Sequence, residues 1–192
     1  MFDPPADLVV PVARILDRLG IAYLVRGSLA SAAYGFPRTT IDADLVIDPT
    51  RGQVDGLREA LQDDFYVSRD AMAEALKERD SFNAIHLSSG FKIDFFILGQ
   101  NAFDRESFER RRPFKLDLAE EGLFLSSPED AVLRKLEWFR KGGEVSEQQW
   151  RDVIGILLVQ QGRLDDAYLK RWAAVLGISD LLERVTREAA AG

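Results

Sequence analysis

"VRGSLASAAYGFPRTTIDADLVID", residues 25–48, sets one glycine-serine pair and three aspartates within two dozen residues. Ile41, Ala43, Leu45 and Ile47 alternate with Asp42 and Asp44, the pattern of a strand with one apolar and one polar face. Residues two apart on a strand share a face, roughly 7 Å apart at Cα. Asp42 and Asp44 therefore stand side by side. Neighbouring carboxylates repel, and burial makes an unshared charge costly. A divalent ion with oxygen ligands resolves that conflict, whereas a polar strand end facing water avoids it.

Two further features bear on the choice. Asp94 interrupts the apolar run "FKIDFFIL", residues 91–98, which reads as a largely buried strand. If that strand neighbours the first, Asp42, Asp44 and Asp94 form a three-carboxylate metal site. Without its ion such a site leaves three carboxylates in mutual repulsion. Gly27-Ser28 lies between a short strand, "IAYLVR", and a helix-prone segment, "LASAAYG", with Ser28 placed to cap the helix. Glycine allows close approach of backbone to a ligand, and free N–H groups at a helix start favour an anion. An anion site beside a cation-binding cluster suits a nucleoside triphosphate carried with Mg²⁺.

Composition narrows the partners. The chain has 192 residues, 46% hydrophobic and 30% charged, with a formal charge of −7, so any polyanion has to be met by a local patch. Cysteine is absent, which excludes disulfides and thiolate metal sites and suits the cytoplasm. The opening "MFDPPADLVV" lacks the pattern of a secretory leader. No apolar run reaches the roughly 20 residues of a membrane span, so no membrane partner is expected.

The remaining pattern predicts a helix at "ADLVVPVARILDRLG", a helix at "QVDGLREALQ", a strand at "FYVS" and a helix at "DAMAEALKE". A hairpin is expected to turn at Ser88-Ser89-Gly90. Residues 100–118 read as polar, Arg-rich and irregular, with one strand at "PFKLDL". Arg105, Arg110, Arg111, Arg112 and Lys115 there suit either RNA phosphates or a solvated loop. From Ser127 onward only helices are expected, with Ser127, Pro128 and Asp130 forming a strong start. The division falls near residue 118, giving 1–118 as an α/β core and 119–192 as a helical region. Lys135 lies at the flank of an apolar stripe, where it reaches into a cleft or snorkels to solvent. Helix-end charge and ion pairing account for Arg151 and Asp152 about as well as catalysis does. The single histidine, His86, reads as structural.

Gly27-Ser28, thirteen residues, then Asp42-Ala43-Asp44-Leu45, with a carboxylate in a later apolar strand, resembles the nucleotidyltransferase superfamily of the polymerase-beta kind. Arg26 departs from that pattern, which places an apolar residue before the glycine. The surroundings "GFPRTTIDADLVI" and "GFKIDFF" are similar to bacterial abortive-infection proteins of the AbiEii type, over roughly residues 20–160. The resemblance implies an α+β fold, a mixed sheet flanked by helices and followed by an all-helical half. It implies a metal-dependent enzyme that moves a nucleoside monophosphate from a nucleoside triphosphate to an acceptor hydroxyl. Asp42, Asp44 and Asp94 are then the catalytic and metal-binding residues, for two Mg²⁺ or Mn²⁺ ions. Gly27, Ser28, Arg38 and Lys135 hold the triphosphate, and Arg151-Asp152 matches the family's basic-acidic pair on the next helix. The acceptor is RNA, such as a tRNA end, for a toxin restrained by an antitoxin protein. A small molecule is the acceptor for an antibiotic-modifying enzyme. A non-catalytic nucleotide- or partner-binding module is the third alternative.

Overall fold

The computed structural model describes residues 5–115 and 122–191. Its first elements in chain order are α1 (Pro5–Arg18), β1 (Ala22–Arg26), α2 (Gly27–Tyr34), β2 (Asp42–Asp48), α3 (Arg51–Leu61) and β3 (Phe65–Val67). Next come α4 (Arg69–Glu78), β4 (Ser81–His86), β5 (Lys92–Ile97), α5 (Ala102–Glu109), β6 (Arg112–Lys115) and β7 (Gly122–Leu125). Four helices complete the described chain: α6 (Pro128–Lys141), α7 (Glu147–Val159), α8 (Asp166–Val175) and α9 (Ser179–Ala191).

The chain divides into two compact units. One holds the chain through Ser28 together with Thr40–Leu125, and the other holds Leu29–Thr39 with the residues from Ser126 onward. The expected boundary at residue 118 lies outside the described residues, as does the last part of the expected "PFKLDL" strand. Among the described residues no helix is long and apolar enough to cross a membrane.

The first unit is built on one mixed seven-stranded sheet, in the order β3-β4-β5-β2-β1-β7-β6. Its centre is the parallel pair β2 and β5, flanked by antiparallel β1 and β4. On one face Ala43, Leu45, Ile47, Ile93, Phe95 and Ala84 are buried with Val9, Val12 and Leu16 of α1, Leu57 and Leu61 of α3, and Met72 of α4. Phe82 and Phe95 stack at 5.0 Å across β4 and β5. This face is the core that the alternation predicts. Ile41 is the exception, 83% exposed, because β2 begins only at Asp42.

The segment expected to be irregular contains α5. Asn101 caps it by accepting from the Asp104 N–H at 2.8 Å, and Phe103 and Phe108 are its buried side. Phe108 packs with Leu24 and Val46, beside Phe96 and Leu98, on the sheet face opposite the main core. Two turns with only two strong apolar anchors escape a periodicity test that needs a longer window. Arg111 lies over Phe108 with 4.7 Å to the ring centroid, so part of the arginine run covers this helix. The hairpin at Ser88–Gly90 forms as expected, with Gly90 at φ +71°.

In the second unit, Ser127 starts α6 as read: its hydroxyl accepts from the Asp130 N–H and donates to Asp130 Oδ2 at 2.6 Å. The Tyr168 hydroxyl donates to the other Asp130 oxygen at 2.6 Å, which ties α8 to α6. Phe139 and Trp150 meet at 5.1 Å between ring centroids, and Val132, Leu136, Val153, Ile156, Trp172 and Val185 are buried around them. Trp138, by contrast, is half exposed. Gly155 lets Phe36 approach α7 closely, since a side chain at Gly155 would meet the Phe36 ring at 3.0 Å.

Because α5 has only two fully buried anchors, truncating one should be costly. Phe108→Ala is expected to lower stability by about 3–5 kcal/mol, whereas Trp138→Ala should cost far less. Chemical denaturation of both variants checks this.

Candidate active site

The parallel register of β2 with β5 sets Asp44 opposite Asp94 and Asp42 opposite Lys92. Laterally paired strand residues point to the same face, so all four side chains share the face opposite the main core. Each is half-buried. The antiparallel register adds Arg26 opposite Asp44 and Asn83 opposite Asp94. The same face is apolar at Val46 and Phe96, where α5 covers it, and charged at the β2 start. The Arg26 guanidinium lies 3.9 Å from the Phe96 ring centroid, at the seam between the two halves. The departure noted at residue 26 thus adds a cation to the carboxylate face.

Local contacts hold the aspartates in place. The Thr40 hydroxyl donates to Asp42 Oδ1 at 2.9 Å. Gly27 has φ +66°, and a Cβ there would stand 1.9 Å from Asp44 Oδ2. The glycine is therefore required twice, for a backbone turn that other residues take at a cost and for the room that the Asp44 carboxylate fills. α2 begins at Gly27, so Ser28 lies in its first turn and does not cap it as expected.

The β2–β5 register sets the three aspartates on one face, and Lys92 stands among them. The Lys92 ammonium sits 2.6 Å from Asp94 Oδ2. Its hydrogen bond to Asp94, together with the charges of Asp94, Asp42 and Asp44, raises the Lys92 pKa against the opposing effect of burial. Among the described residues no three acidic or imidazole side chains are gathered tightly enough to hold a metal ion as they stand. The donor set still fits Mg²⁺ or Mn²⁺: all-oxygen, on one face, with two aspartates on laterally paired positions. The lysine at 2.6 Å demonstrates that a positive charge is accommodated at that spot. Lys92 was legible in principle, since a residue two before Asp94 on a strand shares its face.

In the second unit the structure joins three of the residues singled out from the sequence. Lys135 Nζ is 2.7 Å from Asp152 Oδ2, and Arg38 donates to both Asp152 oxygens at 3.2 and 3.1 Å. Gln148 donates to Asp152 Oδ1 at 2.7 Å, and Lys135 also donates to Gln149 at 3.0 Å. The side chains of Lys135 and Asp152 are 7% and 6% exposed, so Lys135 does not snorkel. Burial pushes the Asp152 carboxyl upward, but the bonds from Lys135, Arg38 and Gln148 outweigh it and hold the group below the usual carboxylate range. Arg151 lies apart from this cluster: it is exposed and pairs with Glu147 at 2.9 Å. His86 is structural, bonded to Ser89 at 2.8 Å and packed on Phe65.

Comparison with solved structures settles the architecture. An antigenic nucleotidyltransferase-like protein from Paracoccidioides brasiliensis superposes with a TM-score of 0.55, at 17% identity, over 94% of this chain and 91% of that one. The fold is nucleotidyltransferase-like. ANT(2'')-Ia in complex with adenylyl-2''-tobramycin shares it at TM-score 0.57, with 14% identity over 90% of this chain and 96% of that one. Lincomycin-bound LnuA, a lincosamide antibiotic adenylyltransferase, matches at TM-score 0.54 and 12% identity, over 80% and 97% of the two chains. No protein-family model matches the sequence, and no curated protein does. The nucleotidyltransferase-like fold thus rests on structure and on the motif spacing.

A depressed carboxyl pKa contributes stability that is complete above the ordinary aspartate value, near pH 4, and is lost as pH falls through the folded value. Removing Asp152 leaves a buried ammonium without its partner, so Asp152→Asn should cost about 3–5 kcal/mol at neutral pH. The difference from wild type should shrink below about pH 4. Melting temperatures of both proteins between about pH 6 and pH 3 test the sign.

Proposed function

We propose that the chain is a metal-dependent nucleotidyltransferase that moves a nucleoside monophosphate from a nucleoside triphosphate to an acceptor hydroxyl. The observation that carries this reading is the β2–β5 register, which sets Asp44 beside Asp94 with Asp42 on the same face. In that reading Asp42 and Asp44 hold the ion bound to the triphosphate, and Asp94 completes the second ion's ligands. Such ions neutralise the phosphates and favour in-line displacement at phosphorus. The acceptor oxygen forms a bond to the α-phosphorus while the α–β anhydride bond breaks, releasing pyrophosphate. In this reading Asp94 also helps to take up the acceptor's proton.

Gly27 and Ser28 are assigned to the triphosphate, with N–H groups at the start of α2 as the anion-binding feature. Within the second unit, Asp152 is the residue that fixes the cations Arg38 and Lys135. Arg151 is given no role, because its side chain is exposed and stands apart from the Asp152 network. For the acceptor, the antibiotics named with ANT(2'')-Ia and LnuA favour a small molecule with a free hydroxyl. The net charge of −7 points the same way. The abortive-infection resemblance supplies the second reading, an RNA acceptor and a restraining antitoxin protein.

Label from each α-phosphate-labelled triphosphate, followed into RNA, protein and small-molecule pools with Mg²⁺ present, tests the proposal. Clamping by metal is worth several kcal/mol, so Asp42→Ala should lower transfer roughly a thousandfold. The fold should survive, since Asp42 lies off the main core. Lys135→Ala should reduce transfer less. Transfer by wild type that never exceeds Asp42→Ala, with any nucleotide or acceptor, contradicts catalysis and leaves a binding module.

A further inference from the structure

We propose that Lys92 is a resident counter-ion of the carboxylate face, competing with a divalent cation for Asp94 and yielding it when metal binds. This rests on the metal-binding reading above and adds a residue outside the superfamily motif.

The register carries the argument first. Lys92 is the lateral partner of Asp42 and lies two residues before Asp94 on the same strand, so the backbone itself aims its side chain between the two acids. The contact is direct: Nζ stands 2.6 Å from Asp94 Oδ2, the oxygen a metal would otherwise be offered. Three carboxylates on one half-buried face repel, and a single ammonium among them removes much of that repulsion. Lys92 therefore performs, in the metal-free protein, part of what the ion performs in the loaded one.

Exposure decides whether the lysine can leave. The Lys92 side chain is 44% exposed against 21% for Asp94, so the ammonium lies on the water side of its partner. An ion pair with one solvated member is held weakly. A flexible four-carbon stem also lets the ammonium move into water without any backbone change. A divalent cation, with twice the charge, should displace it. Metal affinity is then set by competition, and the metal-free protein avoids stored repulsion.

Mn²⁺ binding to the full chain without nucleotide, followed by the free-ion electron paramagnetic resonance signal, tests the idea alongside melting in chelator. Lys92→Gln should bind Mn²⁺ roughly two- to fivefold more tightly, because the metal no longer has to break a partly exposed ion pair. In chelator its melting temperature should fall below wild type, and Mn²⁺ should raise it by more than it raises wild type. Lys92→Arg, which keeps the charge, should match wild type in both measurements. Equal or weaker Mn²⁺ binding by Lys92→Gln, with wild type still binding, overturns the counter-ion role and leaves the metal site standing. If neither wild type nor Lys92→Gln binds Mn²⁺, the metal-binding reading fails and the inference falls with it.

Discussion

The pairing of β2 with β5 is the constraint on which the candidate site depends. Two strands from distant parts of the chain run parallel, and their register brings Asp44 level with Asp94. A slip of one residue would send Asp94 into the main core and Phe95 onto the charged face. Burial prevents this: Leu45, Ile47, Ile93 and Phe95 lie on the core face at 0% exposure. The energy that fixes the acids is therefore supplied by their apolar neighbours on the reverse side of the same strands. The acids themselves contribute repulsion, offset by Lys92 and by the Thr40 bond to Asp42.

Gly27 shows how tightly backbone and acid are fitted. Its positive φ makes the turn from β1 into α2, and its missing side chain is the space the Asp44 carboxylate uses. The glycine of the Gly-Ser pair has a structural function before any ligand is considered. In the helical unit, Asp152 organises Lys135 and Arg38 through a buried network. Breaking such a network leaves a charge without its partner, so these three residues are tied together energetically whatever they bind.

The sequence made the carboxylate strand legible because alternation and spacing are local properties of one chain segment. The core face, the hairpin at Ser88–Gly90 and the Ser127 cap follow from the same local rules. What was not legible came from partners distant in sequence or from short elements. α5 is two turns long, and its anchor Phe108 finds its partners, Leu24 and Val46, on β1 and β2. Lys92 shares a face with Asp94 by spacing alone, but its place beside Asp42 emerges only when β5 is set beside β2. Lys135 at a stripe edge was ambiguous between cleft and solvent, and Asp152, reached through folding, decides it. Arg151 and Asp152 looked alike as a charged pair, yet consecutive helical residues face different ways. One is buried in the network and the other is exposed.

The central claim is that this face is a metal-dependent triphosphate site, and calorimetry of nucleoside triphosphate binding tests it most directly. Wild type should bind triphosphate with Mg²⁺ or Mn²⁺ present and lose that binding in excess chelator. Asp44→Asn, which keeps the shape and removes one charge, should abolish the difference between the two conditions. Equal binding by wild type with and without the metal ion would contradict the account.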